Sequence, residues 1–180
     1  MNISKYLLIL IFFSGAPLYS STLEFSEFTV RGDSPATGLL TTDQEALFDK
    51  GLVAFNQRLS LPIPPRGKIS YRDTKAVPYG TKYDEKGIPK ELRSRDAGVT
   101  FTAHVKKKEG QYEISFDYNR TSLVCNITKA TPHGEILYLP EFQINGVQST
   151  MSLYPNQWFI QPCLNPKSKE NIVVALKVVE

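Results

Sequence analysis

The chain has 180 residues, 41% of them hydrophobic and 22% charged, with a formal net charge of +3. That balance is ordinary for a globular protein and excludes a collagen-like, low-complexity or repeat chain. The lysines and arginines are scattered, and their densest run, Lys106-Lys107-Lys108, falls in a turn, so no basic face with interleaved aromatics is available to nucleic acid.

At the N-terminus, Met1 to Lys5 carries one positive charge, Tyr6 to Phe13 is an unbroken apolar run, and Ser14-Gly15-Ala16-Pro17 breaks it. This is the layout of a secretory signal peptide, and the run is too short to span a bilayer. We expect residues 1–20 to be the signal, with cleavage falling between 16 and 21, and residues 23–180 to form one domain. Ala16 has Ser14 two residues before it, but Pro17 is a poor next residue; cutting after Ser20 or Ser21 puts Leu18 or Tyr19 at the other recognition position. No cysteine follows the apolar run to carry a lipid anchor, and no later segment has the length and apolarity of a membrane helix. Export permits a disulfide, and Cys125 with Cys163 is the one pair available. A bridge and two separate buried thiols both remain open.

Leu23 to Val30 alternates and predicts an opening strand, followed by a glycine- and proline-containing loop from Arg31 to Leu40. Arg31-Gly32-Asp33 matches an adhesion tripeptide, but three common residues in a loop carry almost no specificity. Thr42 and Glu45 fit a capping box, and Leu47, Phe48, Leu52 and Phe55 follow at helical spacing, which predicts a helix ending near Arg58 with Gly51 as its weak point. After Leu59-Ser60-Leu61-Pro62 and a proline cluster, Lys68 to Asp73 and Lys75 to Tyr83 read as short strands. Tyr83 to Ala97 is polar and reads as an exposed loop.

The best-patterned stretch is Ala97 to Tyr118. Val99, Phe101, Ala103 and Val105 alternate with polar residues, then Tyr112, Ile114, Phe116 and Tyr118 do the same beyond a charged turn at Lys106 to Gly110. Two such runs predict an antiparallel hairpin with one apolar face. Downstream, Ser122 to Thr128, Glu135 to Phe142, Val147 to Tyr154, Trp158 to Gln161 and Asn171 to Val179 are strand candidates, with turns at Thr131 to Gly134, Gln143 to Gly146 and Tyr154 to Gln157. Pro140 suggests an edge position or a bulge. The fold class expected is mainly β (α+β), an antiparallel β domain with one helix near the N-terminus.

Catalytic constellations are hard to assemble. His104 and His133 are the only histidines; with Cys125 and Cys163 they make four soft ligands, but none has the close spacing of a zinc site. No GxSxG, HExxH or Walker loop is present. Glu113 and Asp117 lie on the polar strand face, where solvation is the simpler account. Asn119-Arg120-Thr121 and Asn126-Ile127-Thr128 fit the N-glycosylation sequon, which matters only in a eukaryotic host. No enzyme, cofactor, metal site or nucleic-acid partner is expected.

Read in order, these segments resemble the C-terminal core of bacterial secretins, the outer-membrane ring proteins of type II and III secretion and type IV pili. LEFSEFTV is similar to the opening strand of that region; Leu59-Ser60-Leu61-Pro62 after the helix resembles "LSxPxxxT", and Gly67 sits at the family's glycine turn. Gly98-Val99-Thr100-Phe101 resembles "xxxGVxLxVxP", and Gly110 to Ile114 resembles "dGxIxLxL". Leu139 to Met151 resembles "xPxFxxRxVxTxVxV", Asn156 to Ile160 sits at "GQTVVIGG", and Glu170 to Leu176 at the closing "kNLLIFVTP" strand. The likeness covers nearly all of residues 23–180 by collinearity. Gln161-Pro162-Cys163 replaces the family's glycine pair, the VPxLGxIPxxGxLF signature loop is absent, and with LEFSEFTV directly after the signal segment no ring-building domain is expected ahead of it. The resemblance implies an envelope protein of the periplasm or outer membrane of a Gram-negative-type bacterium, acting by self-assembly or by docking other secretion proteins. A soluble β-sandwich binding or scaffold protein, or an exported enzyme with a pocket near His104 or His133, are the alternatives.

Overall fold

The computed structural model describes residues 21–31, 35–49, 54–130, 136–163 and 170–180, with side-chain placement described for all of these except 31, 47–49, 125–130, 136–138 and 170. Its elements are β1 (Thr22–Arg31), β2 (Gly38–Leu39), α1 (Thr42–Asp49), β3 (Phe55–Pro62), β4 (Lys68–Tyr83), β5 (Pro89–Lys108), β6 (Gln111–Ala130), β7 (Ile136–Leu153), β8 (Phe159–Cys163) and β9 (Glu170–Val179). The strands form two antiparallel sheets, ordered β2-β8-β9-β1-β3 and β4-β5-β6-β7. The described residues are therefore mainly β, with one short helix near the N-terminal part.

The two sheets bury their apolar faces against each other. Leu23 and Phe25 of β1 and Val174, Leu176 and Val178 of β9 meet Val99, Phe101, Ala103 and Val105 of β5 and Tyr112, Ile114, Phe116 and Tyr118 of β6 in one buried cluster. The register pairs Phe101 with Tyr118, Ala103 with Phe116 and Val105 with Ile114, and Phe25 lies 4.6 Å from Phe101 between ring centroids. Burying each Val, Leu, Ile or Phe of this cluster contributes about 1.5–3 kcal/mol. Strand β9 is apolar on both phases because it is central: Val173 and Ala175 point the other way, into a second cluster with Phe28, Leu40, Trp158 and Ile160.

Five expectations are corrected. The helix stops at Asp49, and Phe55, placed on its stripe, instead opens β3 and packs edge-on against Phe28 at 6.1 Å. Leu47 and Phe48 lie outside the described side chains, and Leu52 outside the described residues. The capping box forms one residue earlier than Thr42 and Glu45. The Gln44 amide nitrogen donates to Thr41 Oγ1 at 3.4 Å, and the Thr41 amide donates to Gln44 Oε1 at 2.9 Å. The first helical bond, Glu45 to the Thr41 carbonyl at 2.8 Å, fixes Thr41 as the cap. The Glu45 carboxylate is used elsewhere, accepting the Trp158 amide at 3.0 Å.

The stretch expected to be a loop between Tyr83 and Ala97 is mostly strand. Only Asp84 to Ile88 turns, closed by Asp84 Oδ1 accepting the Lys86 and Ile88 amides. From Pro89 onward β5 pairs with β4, without apolar alternation, and its side chains form ion pairs such as Arg72–Asp96 and Lys82–Glu91. Lys68 to Tyr83 is likewise one strand, and β7 runs unbroken through the turn expected at Gln143 to Gly146. Pro140 lies on β7, at the edge of its sheet.

These long strands divide. Pairing of β5 with β6 ends at Gly98–Thr121, while β4–β5 continues to Tyr83–Pro89 and β6–β7 to Ala130–Ile136. Past that line the sheet becomes two hairpin arms. Gly98 sits at the fork with φ +132°, where a Cβ would come within 2.1 Å of the Asp73 carbonyl oxygen. The arms touch through Tyr79 and Phe142, 5.9 Å apart, with the Arg95 guanidinium 5.4 Å from the Phe142 ring.

Candidate functional site

Where the sandwich meets the fork, its interior changes from apolar to polar. On β1 the inward phase runs Leu23, Phe25, Glu27; on β6 it runs Tyr112, Ile114, Phe116, Tyr118, Arg120. Glu27 is fully buried and faces Arg120, whose side chain is one-third exposed. The Arg120 Nη1 donates to Glu27 Oε1, Asn56 Nδ2 donates to the same oxygen at 3.0 Å, and the Tyr118 hydroxyl donates to Oε2 at 2.7 Å. Removing a carboxylate from water costs several kcal/mol, and this carboxylate is compensated by one cation and two further donors.

A bulge places one of those donors. The β1–β3 register pairs Glu27 with Gln57 and Phe28 with Phe55, leaving Asn56 unpaired. Asn56, itself exposed, reaches Glu27 and, at 2.8 Å, Thr29 Oγ1, while its half-buried neighbour Gln57 donates to the Tyr71 hydroxyl. A second bulge, between Leu123 and Cys125, lies just beyond Ser122 on β6. Between the two lies a cavity of about 230 Å³, lined by Thr29, Asn56, Arg120, Ser122, Gln143, Asn145 and Ile172. Gln143 Nε2 donates to Asn145 Oδ1 at 3.4 Å, and Asn145 is 7% exposed.

The electrostatics radiate from Glu27. Burial first, and the Glu27 charge second, push the Tyr118 phenol well above its ordinary value, so it stays a donor. The same two causes push the Cys163 thiol up to about 12. Cys163 is a buried free thiol; Cys125 has its backbone opposite Glu141, and its side chain lies outside the described residues.

Two larger concavities, of about 350 and 440 Å³, lie elsewhere. The solvent face of the four-stranded sheet holds His104 with Thr102, Ser115 and Asp117, and Ser115 bonds Thr150 at 3.0 Å. His133 lies outside the described residues. Near Pro64 and Pro65, Glu180 accepts from Lys107 at 2.5 Å and from Tyr112 at 2.6 Å. These bonds, Lys107 first, hold the Glu180 carboxyl below its usual value, and Glu180 raises Lys107 in return. Among the described residues, no three His, Cys, Asp or Glu side chains gather as a metal site.

Of the residues singled out from sequence, the hairpin set Val99, Phe101, Ala103, Val105, Tyr112, Ile114, Phe116 and Tyr118 is brought together in the core, and Tyr118 alone reaches the polar junction. Glu27, Asn56, Arg120 and Asn145 were not anticipated. Two were signalled: Glu27 and Arg120 are charged residues standing in the apolar phase of well-alternating strands. Comparison with protein families, with curated proteins and with solved structures yields no match in any of the three.

Proposed function

We propose that this is an exported cell-envelope protein of secretin-like ancestry that works by docking a partner rather than by catalysis. The observation that carries the reading is the pair of hairpin arms beyond Gly98 and Thr121, which expose Leu92, Leu123, Val124 and Ile144. Exposed apolar side chains held on rigid paired strands favour a contact surface. The arm strands approach the roughly 9–11 residues a membrane strand needs. In β5, however, Arg93 and Arg95 occupy one phase and Lys90 and Asp96 the other, so neither phase supplies the apolar lipid-facing band of a barrel.

Fractionation followed by sizing tests this. Release by osmotic shock as a monomer or small oligomer is expected, and recovery solely as a detergent-stable ring in the membrane fraction would overturn it. Leu92→Asp with Ile144→Asp should leave thermal unfolding unchanged while abolishing co-purification with envelope partners; retained co-purification would remove the arms from the contact.

A further inference from the structure

We infer that the polar junction beside Glu27 is a binding site for a neutral, polyhydroxylated small molecule of about one sugar ring. The inference does not rest on the docking reading, because it uses the polar side chains around the Glu27–Arg120 pair, including Ser122 and Gln143 at the base of the β6–β7 arm, and not the exposed apolar ones. Size sets the first limit. A cavity of about 230 Å³ holds roughly seven waters at ~30 Å³ each, and falls below the ~300 Å³ at which drug-sized pockets begin. One ring fits within it.

Charge sets the second. Among the described residues the one cation in the lining, Arg120, is already matched by the buried Glu27 carboxylate. An anionic ligand would bring an uncompensated negative charge next to Glu27, and a cationic one would meet Arg120, so a neutral guest is preferred. Hydrogen-bonding character sets the third. Gln143 and Asn145 supply amide donors and acceptors, Ser122 and Thr29 supply hydroxyls that serve as either, and Arg120 supplies donors. A mixed set of this kind matches ring hydroxyls, each both donor and acceptor, and Ile172 supplies an apolar patch for C–H edges. The site is built rather than incidental: Asn145 is only 7% exposed, and Asn56, released from the ladder by the bulge, is fixed at the rim by its bonds to Glu27 and Thr29.

The test is titration of the ¹⁵N-labelled exported chain with glucose, galactose, mannose and N-acetylglucosamine, each read by shifts of the Ser122, Gln143 and Asn145 resonances. Saturable shifts with a dissociation constant of about 1 mM are expected for at least one sugar. Ser122→Ala and Gln143→Ala, each first checked for an unchanged melting temperature, should weaken it about five- to ten-fold. Three results would overturn the assignment: no shift at about ten times that concentration, shifts mapping to another surface, or saturation by acetate, phosphate or glycine in place of the sugars. The last would show that the charge argument fails; the first would leave the junction as an inter-sheet fastening alone.

Discussion

Removing the Arg120 cation tests how far the junction is withdrawn from water. In Arg120→Met the side chain keeps most of its length, but Glu27 is left with only the Tyr118 hydroxyl and the Asn56 amide. Breaking a fully buried pair from one side costs about 3–5 kcal/mol. Arg120 is one-third exposed while Glu27 is wholly buried, so the lower end, about 3 kcal/mol, is expected. That is a large share of the roughly 5–15 kcal/mol that holds a domain together. Glu27→Gln, which leaves the partly exposed cation able to reach water, should cost less, about 1–2 kcal/mol. The triple replacement Glu27→Leu, Tyr118→Phe, Arg120→Met removes the group together, and should fall within about 1 kcal/mol of the native chain or exceed it. Equilibrium urea unfolding followed by circular dichroism, at unchanged m, reads all three. An Arg120→Met cost under about 1 kcal/mol would refute the reasoning, since it would mean that solvent already screens the Glu27 carboxylate.

Three further outcomes follow from particular residues. Thr41→Ala should destabilise the helical segment by about 1 kcal/mol and Thr42→Ala by a few tenths, because Thr41 is the cap; equal costs in thermal melts would restore the cap to Thr42. In a Cys125→Ser background, the Cys163 thiol should resist a disulfide reagent at pH 8 until the chain unfolds. Its folded pKa of about 12 lies above the ordinary value of 9.0, so the unfolded chain loses that proton first and stability should fall above about pH 9, by up to ~1.4 kcal/mol per pH unit until about 12. A flat urea midpoint from pH 8.5 to 10.5, compared with Cys163→Ala, would contradict this. Gly67→Ala puts a Cβ 1.9 Å from the Val105 carbonyl oxygen at φ +69°. Since the Gly67 carbonyl also accepts the Val105 amide at 2.8 Å, a loss of about 2 kcal/mol or more is expected, and an unaltered melting temperature would show that the turn yields freely.

The comparison of chain and fold turns on how far each signal reaches. Alternation is local, and wherever one face of a strand is apolar the pattern in the chain states the element and its phase, as in Leu23 to Glu27 and Val99 to Val105. Where both faces meet solvent, as in Pro89 to Asp96, the pattern vanishes although the strand persists, because it is held by its ladder with β4 and by ion pairs. The helix reading failed for a related reason. Phe55 satisfies a helical stripe and a strand phase equally well, and pairing with β1 selected the strand.

The sequence by itself determined the class of the fold and the hairpin from Val99 to Tyr118 with its buried face, while the charges at Glu27 and Arg120 passed unremarked in it. Only the tertiary structure decided that those charges meet, since they lie 93 residues apart along the chain and nothing in either strand specifies the other. It also decided the bulge that aims Asn56 and the fork at Gly98. Each depends on where one strand stops pairing with another, a balance of ladder bonds and packing summed over both sheets, which no short window of residues contains.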